Sequence, residues 1–136
     1  MTSPILALRR AVLDIAAGDQ DLIALMGGAL QLYDEPPRGA TGVYALFGDV
    51  TAEDWSTDFD RGYTQNLTIV VWGERGSARD ALSALERLSV ILDDADLDLA
   101  GHRLVNLRVT AMASARDRDS QRIRATLRLR AVTETA

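Results

Sequence analysis

D-W-S-T-D-F-D-R-G-Y-T-Q-N-L-T-I-V-V-W, residues 54–72, joins an acidic loop bearing aromatics to a strand of alternating apolar residues. Leu67, Ile69 and Val71 fall on one side of that strand, and Thr68, Val70 and Trp72 on the other, because side chains alternate with period two. The first side suits a core. The second, with Trp72, is too apolar for a surface that meets only water. A sheet with one buried face and one contact face is therefore expected, and the pattern outside this stretch must supply the layer that covers it.

Helical periodicity supplies that layer. Ser3 before Pro4 reads as an N-cap followed by a first-turn proline, and Ile5, Leu8, Val12 and Ile15 then recur at helical spacing until Gly18. Asp19 caps a second short helix with Leu22, Ile23 and Met26, closed by Gly27 and Gly28. Ser77 and Asp80 form an S-x-x-D start for the main helix, whose face is Ala81, Leu85, Leu88 and Leu92. Its C-terminal end runs into Asp93, Asp94, Asp96 and Asp98, which oppose the macrodipole.

Strands occupy the rest. Residues 31–33 read as a short strand, 42–48 as a second, and 63–72 as a third; between the last two lies a long acidic loop, 49–61. Two long strands follow the main helix: Val105, Leu107, Val109 and Ala111 point inward on one, and Ile123, Ala125, Leu127 and Leu129 on the other, with a polar turn over 116–121. The order α-α-(β)-β-β-α-β-β predicts an α+β fold, a mainly antiparallel sheet of four to five strands with helices packed on one face. A single domain over residues 1–136 accounts for the whole chain.

Composition narrows the chemistry. There is no cysteine and one histidine, His102, so thiol nucleophiles, disulfides and Cys- or His-rich metal sites are excluded. All fifteen basic residues are arginine, and the net charge of −5 disfavours attraction of the whole molecule to nucleic acid or anionic membrane. No run approaches the ~20 apolar residues of a membrane span, and no targeting segment is legible, so a cytoplasmic site of synthesis and assembly is expected. The 93–98 acidic run lacks the glycine and glutamate of a calcium loop. Gly73-Glu74-Arg75-Gly76 matches no phosphate-binding pattern. No catalytic residue, cofactor or metal ligand is assigned.

Two clusters remain. Arg122, Arg124, Arg128 and Arg130 share one face of the last strand. If the hairpin turns near Arg118, Arg128 lies opposite Arg108 and Arg130 opposite Asn106. Like charges across a pair are unfavourable and need an offset. The row reads as a solvated face, as a nucleic-acid patch using Trp72, or as a surface that meets a neighbouring subunit's carboxylates from Asp54, Asp58, Asp60 or the 93–98 run. In the acidic loop, Trp55 and Phe59 either pin the loop to its own domain or serve as interface anchors. The candidate interface residues are thus Asp54, Trp55, Asp58, Phe59, Asp60, Trp72, Arg108, Arg124, Arg128 and Arg130. A competing reading, a small α+β enzyme or ligand-binding domain, would use Glu74, Arg75 or His102.

The ordered set P-I-L-A-L-R-R-A-V (4–12), D-L-I-A-L-M-G-G (21–28), L-Y-D-E-P-P (32–37), D-W-S-T (54–57), L-T-I-V-V-W (67–72) and L-A-G-H-R-L-V-N-L-R (99–108) with an arginine-rich last strand resembles a family of small tail-completion proteins of long-tailed phages and gene transfer agents. Gly42-Val43-Tyr44 departs from the family, which often has proline before that tyrosine. The resemblance implies a tail terminator, a structural virion-assembly protein without catalytic residues. Such a protein forms a homo-hexameric ring on the head-proximal end of the tail tube and joins tail to head. Its implied partners are further copies of itself, the tail tube protein and a neck or head-closure protein, with DNA passing through the lumen. The implied location is the bacterial cytoplasm during assembly, then the neck of a phage or gene-transfer-agent particle. A head-closure or other neck connector is the nearest alternative.

Overall fold

A computed structural model of the protein describes residues 3–59, 61–74 and 78–135. The expected helices form where the caps place them. Ser3 Oγ accepts the Leu6 amide at 3.3 Å to open α1 (Pro4–Ala17), and Asp19 Oδ2 accepts that of Leu22 at 2.9 Å to open α2 (Gln20–Leu25). The main helix, α3 (Ala78–Leu92), buries Ala81, Leu85, Leu88 and Leu92; its expected start signal at Ser77 lies outside the described residues, as does Arg75.

The strands are β1 (Leu32–Tyr33), β2 (Tyr44–Asp54), β3 (Gly62–Gly73), β4 (Asp98–Leu99), β5 (His102–Arg116) and β6 (Ile123–Thr135). They make one six-stranded sheet in the order β1-β2-β3-β6-β5-β4, antiparallel except for the parallel β1·β2 pair. The sheet therefore exceeds the expected four to five strands, because the two-residue strand β4 adds an edge beyond β5. Strand β2 also runs to Asp54, so the acidic loop is shorter than 49–61. Asp49 lies in a bulge between Phe47 and Val50, after which Val50, Thr51, Ala52, Glu53 and Asp54 pair with β3. An acidic composition masked a regular ladder there.

The core lies between the helices and one face of this sheet. Leu67, Ile69 and Val71 of β3 and Ala125, Leu127 and Leu129 of β6 are buried against Leu85, Leu88 and Leu92 of α3 and Leu8 and Val12 of α1. Buried area of this kind is the main favourable term in folding. One polar tie locks helix to sheet and a second locks helix to helix. Gln65, fully buried, donates from Nε2 to the Pro4 carbonyl at 3.1 Å and to Thr133 Oγ1 at 3.2 Å. Asp19, already capping α2, takes Arg87 of α3 in a fork with Nε at 2.8 Å and Nη2 at 2.6 Å. That fork is the first cause that holds the Asp19 carboxyl below its ordinary value.

The inward stripe expected on β5 is only partly right. Leu107 is buried and Val109 half-buried, but Val105 is exposed and Ala111 points to the opposite face. Extra residues at Val105 and Thr110 each reset the alternation, as bulges do. Beyond Thr110 the inward positions become Met112, Ser114 and Arg116, opposite Leu127, Ala125 and Ile123.

Candidate subunit interface

The helices leave the second face of the sheet uncovered, and the residues that alternate with the core define it. From β2 to β5 it carries Tyr44 and Leu46, then Val70 and Trp72, then Arg124, Thr126 and Arg128, then Ala111, Ala113 and Ala115. Trp72 lies opposite Tyr44 on one side and Arg124 on the other. It is half-buried there, with the Tyr44 hydroxyl accepting from Arg122 Nη1 at 3.1 Å. The face is apolar toward β2 and cationic toward β6.

Register corrects the expected arginine pairing. Arg130, not Arg128, lies opposite Arg108, while Arg128 faces Ala111 and Asn106 faces Val132. The hairpin turns between Asp119 and Ser120 and not near Arg118, which sets Arg128 opposite Ala111, and the extra residue at Thr110 then shifts β5 by one position so that Arg108 meets Arg130. The like-charge pair is offset within the chain, since Arg108 Nε reaches Asp93 Oδ1 at 3.2 Å. The same carboxylate accepts the Val109 amide at 2.9 Å, and the Asp94 amide donates to the Leu107 carbonyl at 2.8 Å. Asp93 and Asp94 thus fasten the end of α3 along the edge of β5. Among the described residues, Arg124, Arg128 and Arg130 take part in no ion pair. Arg124 and Arg128 rise at the sides of a shallow depression floored by Ala111, Ala113 and Ala115.

The loop after β2 separates its two aromatics. Trp55 folds back over Gly62: a Cβ at Gly62 would come within 2.7 Å of Trp55 Cε3. Phe59 stands 95% exposed. Local side chains shape the turn between them. Asp54 Oδ1 accepts the Ser56 amide at 2.8 Å, and Ser56 Oγ accepts that of Gly62 at 3.3 Å. Hydrogen bonds from Ser56 are the main reason the Asp54 carboxyl sits below its ordinary range. Asp58 is exposed beside Phe59, and Asp60 lies outside the described residues.

The residues of the enzyme reading are not assembled. Glu74 Oε1 accepts the Gly42 amide at 2.8 Å at one end of the sheet. His102 is buried at the other end, paired with Thr135. Sequence reasoning missed the alanine floor and Glu53, which alternates onto the uncovered face of β2 opposite Thr64. The visible signal was the uncharged run V-T-A-M-A-S-A, residues 109–115, between Arg108 and Arg116.

The fold has counterparts among known proteins. A chain in a structure of the native gene transfer agent virion is 29% identical over 98% of this chain and 99% of its own, with a TM-score of 0.88. A second solved chain, 16% identical with a TM-score of 0.59 over 99% of this chain and 97% of its own, shares the fold. Comparison with curated protein sequences gives no match. The model of the family described as tail completion protein gp17 matches residues 10–134. The chain belongs to that family of tail completion proteins, whose role in the virion is structural.

Proposed function

We propose that the chain is a tail terminator: a ring of six copies that closes the head-proximal end of the tail tube and docks the tail to the neck. DNA passes through the ring without sequence-specific binding, and copies assemble in the bacterial cytoplasm before entering the particle. The observation that carries this reading is the segregation of charge. Arginine gathers on the β6 face, where Arg124, Arg128 and Arg130 take part in no ion pair among the described residues, while Asp49, Glu53, Asp54 and Asp58 gather at β2 and its loop. Two different and complementary patches make a heterologous contact, and a heterologous contact that closes makes a ring. The virion setting of the similar chain at TM-score 0.88 supports the same reading.

Light scattering of the purified protein at increasing concentration tests it, together with electron microscopy of tail ends and pull-down by tube protein. A six-subunit mass and rings on tubes are expected. Capture by a head-closure ring and not by the tube would move the protein one place up the neck. A monomer at every concentration that never binds tube protein would refute the proposal.

A further inference from the structure

Both long edges of the sheet are open where their flanking segments end. On one side β1 covers only Ala45 and Leu46 of β2. On the other, β4 with Asp93 and Asp94 covers β5 up to Val109. Hydrogen-bond alternation identifies the backbone groups left facing outward. The Asp117 amide bonds Arg122 across the hairpin, so Met112, Ser114 and Arg116 turn away from β6. The Trp55 amide bonds Gly62, so Val50, Ala52 and Asp54 turn away from β3. Among the described residues, none of these six has a backbone hydrogen bond beyond its own ladder.

The β5 edge lacks the usual protection. Native edges are blunted by charge, proline, bulges or a cover. Residues 111–115 carry none of these, and every one is exposed. An uncharged, exposed edge is a template for another strand.

We infer that this edge pairs with β2 of the next copy, continuing the sheet across the subunit boundary. The inference rests on the ring proposed above and names its junction. Strands β2, β3, β6 and β5 alternate in direction, so a head-to-tail neighbour presents its β2 antiparallel to β5. Setting Ser114 opposite Ala52 also sets Met112 opposite Asp54 and Arg116 opposite Val50. Every outward group on both edges is then used, and no bulge residue is involved. On the uncovered face, Ala113 comes opposite Glu53 and Ala115 opposite Thr51. Glu53 enters over the alanine floor, between Arg124 and Arg128, which flank it diagonally. The small side chains of Ala111, Ala113 and Ala115 leave the room that lets these charges meet.

The register has a geometric consequence. Within its own sheet Ser114 is level with Val71, whereas Ala52 is level with Gln65, six residues along β3. Six residues at ~3.3 Å is ~20 Å of stagger, spread over four strand spacings of ~4.8 Å, or ~19 Å. The strands then lie at roughly 45° to the ring axis, beside the ~35–45° found in closed sheets.

The chain has no cysteine, so engineered pairs report cleanly. Ala115→Cys with Thr51→Cys places thiols at a close, non-hydrogen-bonded position of the junction. Mild oxidation should give a covalent ladder that stops at the ring mass, removed by reductant. Ala115→Cys alone should not dimerise efficiently. Ser114→Pro removes an outward N–H that β6 does not use, and should leave the circular dichroism unchanged while the assembled species is lost. Rings that persist in Ser114→Pro without cross-links in the double variant would overturn this junction and leave the ring standing. Efficient dimers from Ala115→Cys alone would overturn it in favour of like-with-like pairing. Wild-type protein that stays monomeric, alone and on tail tubes, would overturn the ring and the junction together.

Discussion

Gly62→Ala tests the geometry that holds the acidic loop against the sheet. The added methyl group would lie 2.7 Å from Trp55 Cε3 and 2.9 Å from the Thr133 carbonyl oxygen. Neither distance is tolerable, and the two neighbours differ in how they yield. Trp55 can swing outward, since it is 45% exposed and follows the last residue of β2. The Thr133 carbonyl belongs to β6, which is paired by β3 on one side and β5 on the other, and can shift only with the sheet. Overpacking of this kind costs about 1–3 kcal/mol, which in a domain of this size lowers Tm by roughly 3–10 °C. The assay is urea unfolding of Gly62→Ala, Trp55→Ala and the double variant, with Trp72→Phe as background so that Trp55 alone emits. Gly62→Ala should redden the Trp55 emission as the ring leaves the sheet. Removing Trp55 should relieve part of the cost and leave the part owed to Thr133, so the two substitutions should couple by ~0.5 kcal/mol or more. A Gly62→Ala protein as stable as the parent, with Trp55 emission unmoved, would refute the close approach.

Three other outcomes are expected. Asp19→Ala removes the α2 cap and the partner of Arg87, and should destabilise by about 1–2 kcal/mol at neutral pH. Because the folded Asp19 pKa lies below its ordinary 3.8, its charge stabilises the protein above the unfolded pKa. That contribution is lost as pH falls through the folded value. The difference between Asp19→Ala and parent in urea should therefore narrow toward pH 3, and a constant difference would exclude the charge as its source. Leu127→Ala empties a fully buried site under α3 and should cost ~2–5 kcal/mol by urea unfolding, with secondary structure retained at low temperature. Reversing Asp54, Asp58 and Asp60 to lysine should preserve the fold by circular dichroism and abolish assembly by light scattering; intact rings would show that the loop meets no arginine of a neighbour.

Helix starts and the β3 face were legible because each rests on local signals. Ser3-Pro4, Asp19 and the period-two run after Leu67 act within a few residues of themselves. What was not legible depends on residues far away in sequence. The continuation of β2 through Asp49 is decided by its partner β3, which supplies a ladder to an otherwise loop-like composition. The bulges at Val105 and Thr110 leave no mark in composition, yet each moves every later side chain of β5 to the other face. The one at Thr110 turned an expected inward Ala111 outward and moved Arg130 opposite Arg108. The candidate interface followed the same division. Arg124 and Arg128 were visible as a row, whereas Glu53 acquired its meaning only when β2 proved to be a strand with an open edge.

The distribution of charge on the two edges also argues for one mode of assembly over its simplest competitor. A two-fold pairing of β5 with β5 would bring the Arg124 and Arg128 rows of two copies toward each other across alanine strands, with no carboxylate between them. A two-fold pairing of β2 with β2 would set Asp49, Glu53 and Asp54 against their own copies. Like charges placed across strands are destabilising, so each edge is repelled by itself and attracted by the other. Complementary contacts raise the affinity of the chosen pairing, and the self-repulsion lowers that of the alternative, as specificity between modes requires. A chain built this way joins head to tail and grows until it closes. On this argument the lysine-free cation set has a second consequence. Arginine's planar fork can bond a carboxylate and still lie along a sheet face. Arg124→Lys with Arg128→Lys should therefore keep the net charge and weaken assembly, whereas two substitutions to glutamine should abolish it. Equal loss in both variants would show that Glu53 reads a specific fork, and equal retention would remove Arg124 and Arg128 from the junction.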